Sequence, residues 1–339
     1  MNIKKYRIIL TLITGFFLAS LIGCSEDVSA GKFVAISNNG AIVYSDDGIQ
    51  WHNTNKNSAS LNSVCYGNGK FVAVGNYGDT VCSSDGNKWI DGILPTLSGD
   101  GTYGWESVCY GNGKFVAAAY NTNNNQAVSY STDGINWSDL TKLENGSWVS
   151  ICYGDGKFVV VANGAIAYSA DAINWKSVVM VGMGGYQWQS VCYGKGKFVS
   201  IAALVSGDIS NKAAYYSTDG IKWTETESLK NIKKWSSVCY GNGKFVAVAL
   251  SADGGGSSTD DTVAYSTDGI HWDEAYLPRT GYWRGVCYGD GKFVAVGNDV
   301  IGIAAYSYDG IKWHKIEGMP SSMWQSVTYG LDNDIFGFL

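Results

Sequence analysis

Ser107-Val108-Cys109-Tyr110-Gly111-Asn112-Gly113-Lys114-Phe115-Val116, then Tyr130-Ser131-Thr132-Asp133-Gly134-Ile135-Asn136-Trp137, decides the fold, because the chain writes this pair of phrases seven times. Ser-Val-Cys-Tyr-Gly stands at 63–67, 107–111, 190–194 and 237–241, with variants at 150–154, 285–289 and 326–330. Gly-Lys-Phe-Val puts Phe at 33, 71, 115, 158, 198, 245 and 293. The Asp-Gly turn phrase puts Trp at 51, 89, 137, 175, 223, 272 and 313, so successive units are 38–49 residues long. That is the length of one supersecondary unit in a repeat architecture.

Each unit reads as four short strands. Ser-Val-Cys-Tyr is strand A, and a Gly-Asn-Gly or Gly-Asp-Gly hairpin leads to strand B at Lys-Phe-Val. A loop of variable length precedes strand C, as in Ala127-Val128-Ser129-Tyr130, and the Asp-Gly turn leads into strand D at the Trp. Four strands per forty residues fit an all-β, seven-bladed propeller of antiparallel blades. A solenoid would need capping repeats; here the two ends are complementary instead. The first unit opens at strand B with Lys32-Phe33, and Trp324–Gly330 supplies a spare strand A. The C-terminal strand is therefore expected to complete blade 1, leaving no open edge between the ends. Helical patterning is confined to 224–234, where a short turn is expected, and Pro95, Pro278 and Pro320 are expected in D-to-A loops.

Four segments follow. Residues 1–23 read as a secretory signal, with Lys4, Lys5 and Arg7 ahead of an apolar run from Ile8 to Ile22. Leu21-Ile22-Gly23-Cys24 resembles the bacterial lipoprotein box, which implies cleavage before Cys24 and its acylation. Residues 24–31 form the tether, 32–330 the propeller and 331–339 a tail. Removing 1–23 takes three of 24 basic residues and none of the 30 acidic ones, so the remaining chain carries about −9. So acidic a chain has no electrostatic footprint for nucleic acid. The expected location is the bacterial cell envelope, lipid-anchored on the outer membrane or cell surface, as a monomer.

The turn phrase resembles the Asp-box of the bacterial neuraminidase repeat, found in sialidases, related glycoside hydrolases and propeller lectins. Here it is one residue shorter than the family pattern, and blade 4 has Ala172 where the others have Gly. The resemblance implies a structural role for Asp47, Asp85, Asp133, Asp171, Asp219, Asp268 and Asp309, whose carboxylates would bind the turn backbone. It also implies a test of activity. Sialidases of this family clamp a carboxylate with three arginines, and bidentate clamping is a property of Arg that Lys lacks. Beyond the signal only Arg279 and Arg284 remain, so the chain reads as a non-sialidase member.

Other chemistries find little support in the spacing. A glycosidase of another type needs two suitably placed carboxylates, and Asp91, Asp100, Glu106, Glu144, Glu225, Glu227, Asp253, Asp260, Asp261 and Glu274 are scattered over loops. His52, His271 and His314 belong to three different blades, which argues against a shared metal or base. The run from Asp253 to Asp261 lacks the spacing of a calcium loop. No metal or cofactor is expected. Cys65, Cys109, Cys152, Cys192, Cys239 and Cys287 occupy one strand-A position, with Thr328 in the seventh and Cys82 in a strand C. Rotation about the ring axis should hold them beyond disulfide reach, as buried small hydrophobes.

Trp105, Trp148, Trp188, Trp235, Trp283 and Trp324 precede strand A, with Leu61 in the seventh place. The residues after them are Asn62, Glu106, Val149, Gln189, Ser236, Arg284 and Gln325. Strand alternation points the two sets opposite ways. Either set is placed to line the mouth of the central channel; the indoles would offer sugars an aromatic platform there, or else wedge between blades. Variable B-to-C and D-to-A loops share one face, where binding on rigid scaffolds usually resides. A tether of at most about 25 Å would turn that face outward from the membrane. The expected function is recognition of a glycan or a partner protein at the cell surface. The alternatives are a glycoside hydrolase or lyase of non-sialidase type, and a scaffold in an envelope complex.

Overall fold

The computed structural model describes residues 31–331, apart from positions 59, 145 and 163 and segments 96–102, 122–126, 180–186, 204–212, 227–228, 230–233, 251–259 and 300–301. The signal segment, Cys24 and nearly all of the tether and tail lie outside the described residues. Every described element is a β-strand. Five sheets have four strands, and a sixth has seven, because Asp273–Gly289 runs unbroken as strand D of blade 6 and strand A of blade 7. Counted by repeat, these are seven blades. Inner strands A contact one another all the way round. No described helix is long and apolar enough to cross a membrane.

Blade 1 is completed as its two ends require. Trp324–Gly330 pairs antiparallel with Lys32–Ser37, from Lys32 opposite Gly330 to Ser37 opposite Trp324. Two expectations are corrected. Thr224–Glu225 is extended and pairs with Tyr215 and Tyr216, so a helical turn does not start there. Pro278 lies inside Asp273–Gly289 and not in a loop. It falls between the pairings Thr262–Tyr276 and Asp260–Gly281, where the register shifts, and so breaks no regular ladder.

Local chemistry accounts for the turns. Asn68 and Gly69 both have positive φ (47° and 73°), the backbone of a tight hairpin that follows strand twist. In the C-to-D turn, Asp133 Oδ1 accepts the Ile135 and Asn136 N–H at 2.8 Å, and Ser131 Oγ accepts Gly134 N–H at 2.9 Å. Asp47, Asp85, Asp171, Asp219, Asp268 and Asp309 each accept the same pair of turn N–H groups. Ala172 adopts φ 66° where the other six have Gly.

Three layers of contact join neighbouring blades. Trp105 and Val108 of blade 3 share a core with Val72 and Val74 of blade 2, and the pattern recurs. Beside it, Ser63 Oγ accepts Val108 N–H at 3.2 Å, and Ser107, Ser150, Ser190, Ser237 and Ser326 repeat this bond to the next blade. Only at blade 7 does Gly285 replace the Ser. Lastly, each strand A ends in a Gly lying flat against a Tyr of the next blade: a Cβ on Gly67 would fall 2.0 Å from the Tyr110 ring. The last of these contacts, Gly330 on Tyr66, closes the circle.

Candidate functional site

Strand A is not a simple alternating strand, and the exception builds the site. In all seven blades the register shifts between the Trp (or Leu61) position and the Ser (or Gly285) position, as between Trp105 and Ser107. The residue between them is the extra residue of a β-bulge, a device that re-aims side chains. Trp105 and Val108 then face the same neighbouring blade despite an odd spacing. Asn62, Glu106, Val149, Gln189, Ser236, Arg284 and Gln325 are all partly exposed at this one level of the inner strands.

The six strand-A tryptophans are a correction. Trp105, Trp148, Trp235, Trp283 and Trp324 are 0% exposed and Trp188 is 1% exposed. The bulge turns each indole into the core between blades, so none offers a face to a ligand. Trp188 also packs on other rings, stacked on Tyr215 at 5.1 Å and edge-on to Trp223 at 5.0 Å. The wedge reading of these residues is the one the structure gives.

The polar ring divides into two kinds of residue. Asn62 Nδ2 donates to the Trp105 carbonyl at 3.2 Å, and Ser236 Oγ to the Trp283 carbonyl at 2.6 Å. These caps satisfy backbone that the bulge leaves open. Glu106 and Arg284 make no such bond among the described residues. Burial pushes the Glu106 carboxyl up from its ordinary value, and burial pulls the Arg284 guanidinium down. Arg284 Nε is buried without a hydrogen-bond partner. Arg279, the other described arginine, is by contrast paired to Asp299 at 2.5 Å.

The two faces differ as their loops suggest. A-to-B turns meet the C-to-D turns of the following blade on one face, where Lys70 Nζ donates to the Asp133 carbonyl and Asn112 Nδ2 to that of Ala170. The bulge ring opens towards the other face, with the B-to-C and D-to-A connections. There Tyr77 is 68% exposed at φ 59°, in a turn pinned by Asn76 to Ser60 Oγ at 2.9 Å and to Asn62 Nδ2 at 3.0 Å. The turn was not anticipated, and nothing but its Asn-Tyr-Gly composition marks it in the sequence.

The remaining motifs disperse. His52 lies against Tyr44, His314 stacks on Tyr306, and His271 Nδ1 is 2.8 Å from Asp268. Each stays in its own blade. Among the described residues no group of three or more His, Cys, Asp or Glu is placed to hold a metal. Residues 253–259 of the acidic Gly/Ser run lie outside the described residues. The seven described cysteines are free thiols; Cys82, Cys152 and Cys287 are buried, whereas Cys65, Cys109, Cys192 and Cys239 are only partly so, and desolvation pushes the strand-A thiols upward. An open groove of about 540 Å³ runs between the outer strands of blades 3 and 4, beside Lys142, Glu144 and Lys176.

No family model matches the chain, and no curated protein matches it. Solved propeller structures do. A Bacteroides fragilis protein assigned as a 6-phosphogluconolactonase is similar at TM-score 0.66 and 9% identity, over 90% of this chain and 99% of that one. Catalytically inactive virginiamycin B lyase from Staphylococcus aureus, with quinupristin, is similar at 0.59 and 13%, over 86% and 96%. YCF48 bound to a D1 peptide is similar at 0.52 and 16%, over 87% and 89%. At such identities the likeness establishes the β-propeller fold alone.

Proposed function

We propose that this protein is a non-catalytic recognition module of the bacterial cell envelope, held by a lipid on Cys24, that binds a partner through the variable-loop face around the channel mouth. The observation that carries this reading is the bulge ring, in which Glu106 and Arg284 are largely desolvated and have no partner among the described residues, Arg284 Nε being buried without a hydrogen bond. Gln189 and Gln325 add amides that donate and accept at the same level. A peptide or protein is favoured over a glycan, because the buried strand-A indoles remove the aromatic platform that favoured sugars. Propellers serve such binding elsewhere, as in the YCF48–D1 peptide and nidogen/laminin structures. Membership of an Asp-box, non-sialidase lineage is part of the same proposal and rests on the turn bonds of Asp133 and its equivalents.

A hydrolytic role is less well supported, since Glu106 is the one carboxylate in the ring and glycoside hydrolysis uses two. The test is binding by the full chain in detergent micelles, screened against a peptide array and a glycan array. Peptide binding lost in the double variant Gln189→Ala/Gln325→Ala is expected. Binding to neither array would leave the scaffold alternative standing instead.

A further inference from the structure

Glu106 and Arg284 occupy equivalent bulges in blades 3 and 7, so the sevenfold ring sets them three blades apart one way and four the other. They therefore lie on opposite sides of the ring of inner strands. Their environments are alike: each is desolvated, and neither charge contributes to the other's altered affinity for protons. They do not neutralise one another. Both are only partly exposed, and a charge withdrawn from water without a partner is more unfavourable than an amide so placed. The repeat does not need them, either. Where the bulge residue serves the fold it caps the next Trp carbonyl, as Asn62 and Ser236 do. Glu106 as a carboxylate has no donor for that carbonyl, and Arg284 does not use its own.

We propose that the channel mouth binds a zwitterionic ligand, a short peptide with free termini, its ammonium held by Glu106 and its carboxylate by Arg284. This rests on the recognition reading above and gives it a ligand class. The chemistry is complementary at both ends. An ammonium beside Glu106 favours its ionised form, and a carboxylate supplies the counterion and the acceptor that Arg284 Nε lacks. Gln189 and Gln325, in the same ring, suit the peptide groups between. One charge alone would leave the other ring residue as it stands.

The test is saturation-transfer NMR and calorimetry on the full chain in detergent micelles, with glycine and di- to penta-glycine as probes. Binding should peak at one length, the one that spans the ring. N-acetylation or C-amidation of that peptide should each weaken it at least about tenfold, the range of one lost charge-assisted bond. Glu106→Gln should abolish the penalty for acetylation only, and Arg284→Gln the penalty for amidation only. Near-UV circular dichroism and a melting curve on each variant separate lost binding from lost folding. Equal binding of capped and free peptides would overturn the zwitterion while leaving peptide recognition intact. Binding of a galacturonate trimer, with no glycine peptide bound, would overturn both.

Discussion

Gly285 lies against the Val327 backbone N–H, and a Cβ placed on it would come within 3.3 Å of that nitrogen. At the other six junctions a serine hydroxyl accepts the matching N–H from the next blade. The junction between blade 7 and blade 1 is thus the one without this bond. Gly285→Ala should destabilise the ring, since its methyl would also meet the Gln325 carbonyl at 3.1 Å. Gly285→Ser should be about 1 kcal/mol more stable than the Ala variant, the usual net value of a hydrogen bond. Urea denaturation of the pair measures the difference.

Ala172 holds a left-handed backbone at φ 66° that its six counterparts give to glycine. Ala172→Gly should therefore raise stability by up to about 1 kcal/mol, the left-handed penalty of an L-residue. Lys195, at φ 47° in the hairpin where other blades have Asn or Asp, should gain in the same direction from Lys195→Asn. Both are read as shifts in melting temperature.

Acid should loosen the blades together. Burial raises the carboxyls of Asp47, Asp85, Asp219 and Asp309, but turn N–H and Ser hydroxyl bonds outweigh it and hold them below the usual range. Asp133, Asp171 and Asp268 are depressed further, by an added side-chain bond from Asn136, Asn174 and His271 respectively. A carboxyl depressed in the folded state contributes stability above its unfolded value and loses it as pH falls through the folded one. Stability should accordingly be level from neutrality to about pH 4 and decline below it. Asp133→Ala should reduce stability by about 1 kcal/mol at pH 7 and flatten the acid limb, which thermal melts across pH will show.

The strand-A thiols should be silent in the native protein. Burial raises Cys65, Cys109, Cys152, Cys192, Cys239 and Cys287 far above the range in which a thiolate forms at pH 8. Labelling with iodoacetamide at pH 8 should be slow in buffer and rapid and complete in guanidinium, counted by mass spectrometry. Fast native labelling at Cys152 or Cys287, the two buried members, would contradict the burial.

Trp235 fills the space between blades 5 and 6 with Val199 and Ile201, and is 0% exposed. Trp235→Ala should lower stability by about 3–5 kcal/mol. Where enough folded variant remains, affinity for a ligand at the ring should be little changed.

The repeat, the closing strand and the turns were legible because each depends on short phrases with strict backbone demands. Asn68-Gly69 and Asp133-Gly134 state their turns outright. The bulge is not written so plainly, and with it the roles of Trp105 and Glu106 stay open in the sequence. Strict alternation puts residues an odd number apart on opposite faces, yet Trp105 and Val108 are both core. Two large apolar residues three apart, repeated in six blades, were the available sign of an inserted residue. Glu106 and Arg284 are harder still to read, since they hold the same repeat position as Asn62 and their lack of a partner among the described residues is invisible in one dimension.

The pairing of Lys32 with Gly330 has a temporal side. Blades 2 to 7 join residues close in sequence and can form as the chain emerges. Blade 1 must wait for contacts almost three hundred residues apart, whose loop entropy makes them slow. Until Trp324–Gly330 arrives, the apolar strand Lys32–Ser37 is paired only to Ala41–Ser45 and leaves its other edge open beside a gap in the ring. The last seven-residue strand is then the latch of the whole circle, and refolding should show its slowest phase there. A chain cut before Trp324 would display the exposed edge and self-associate.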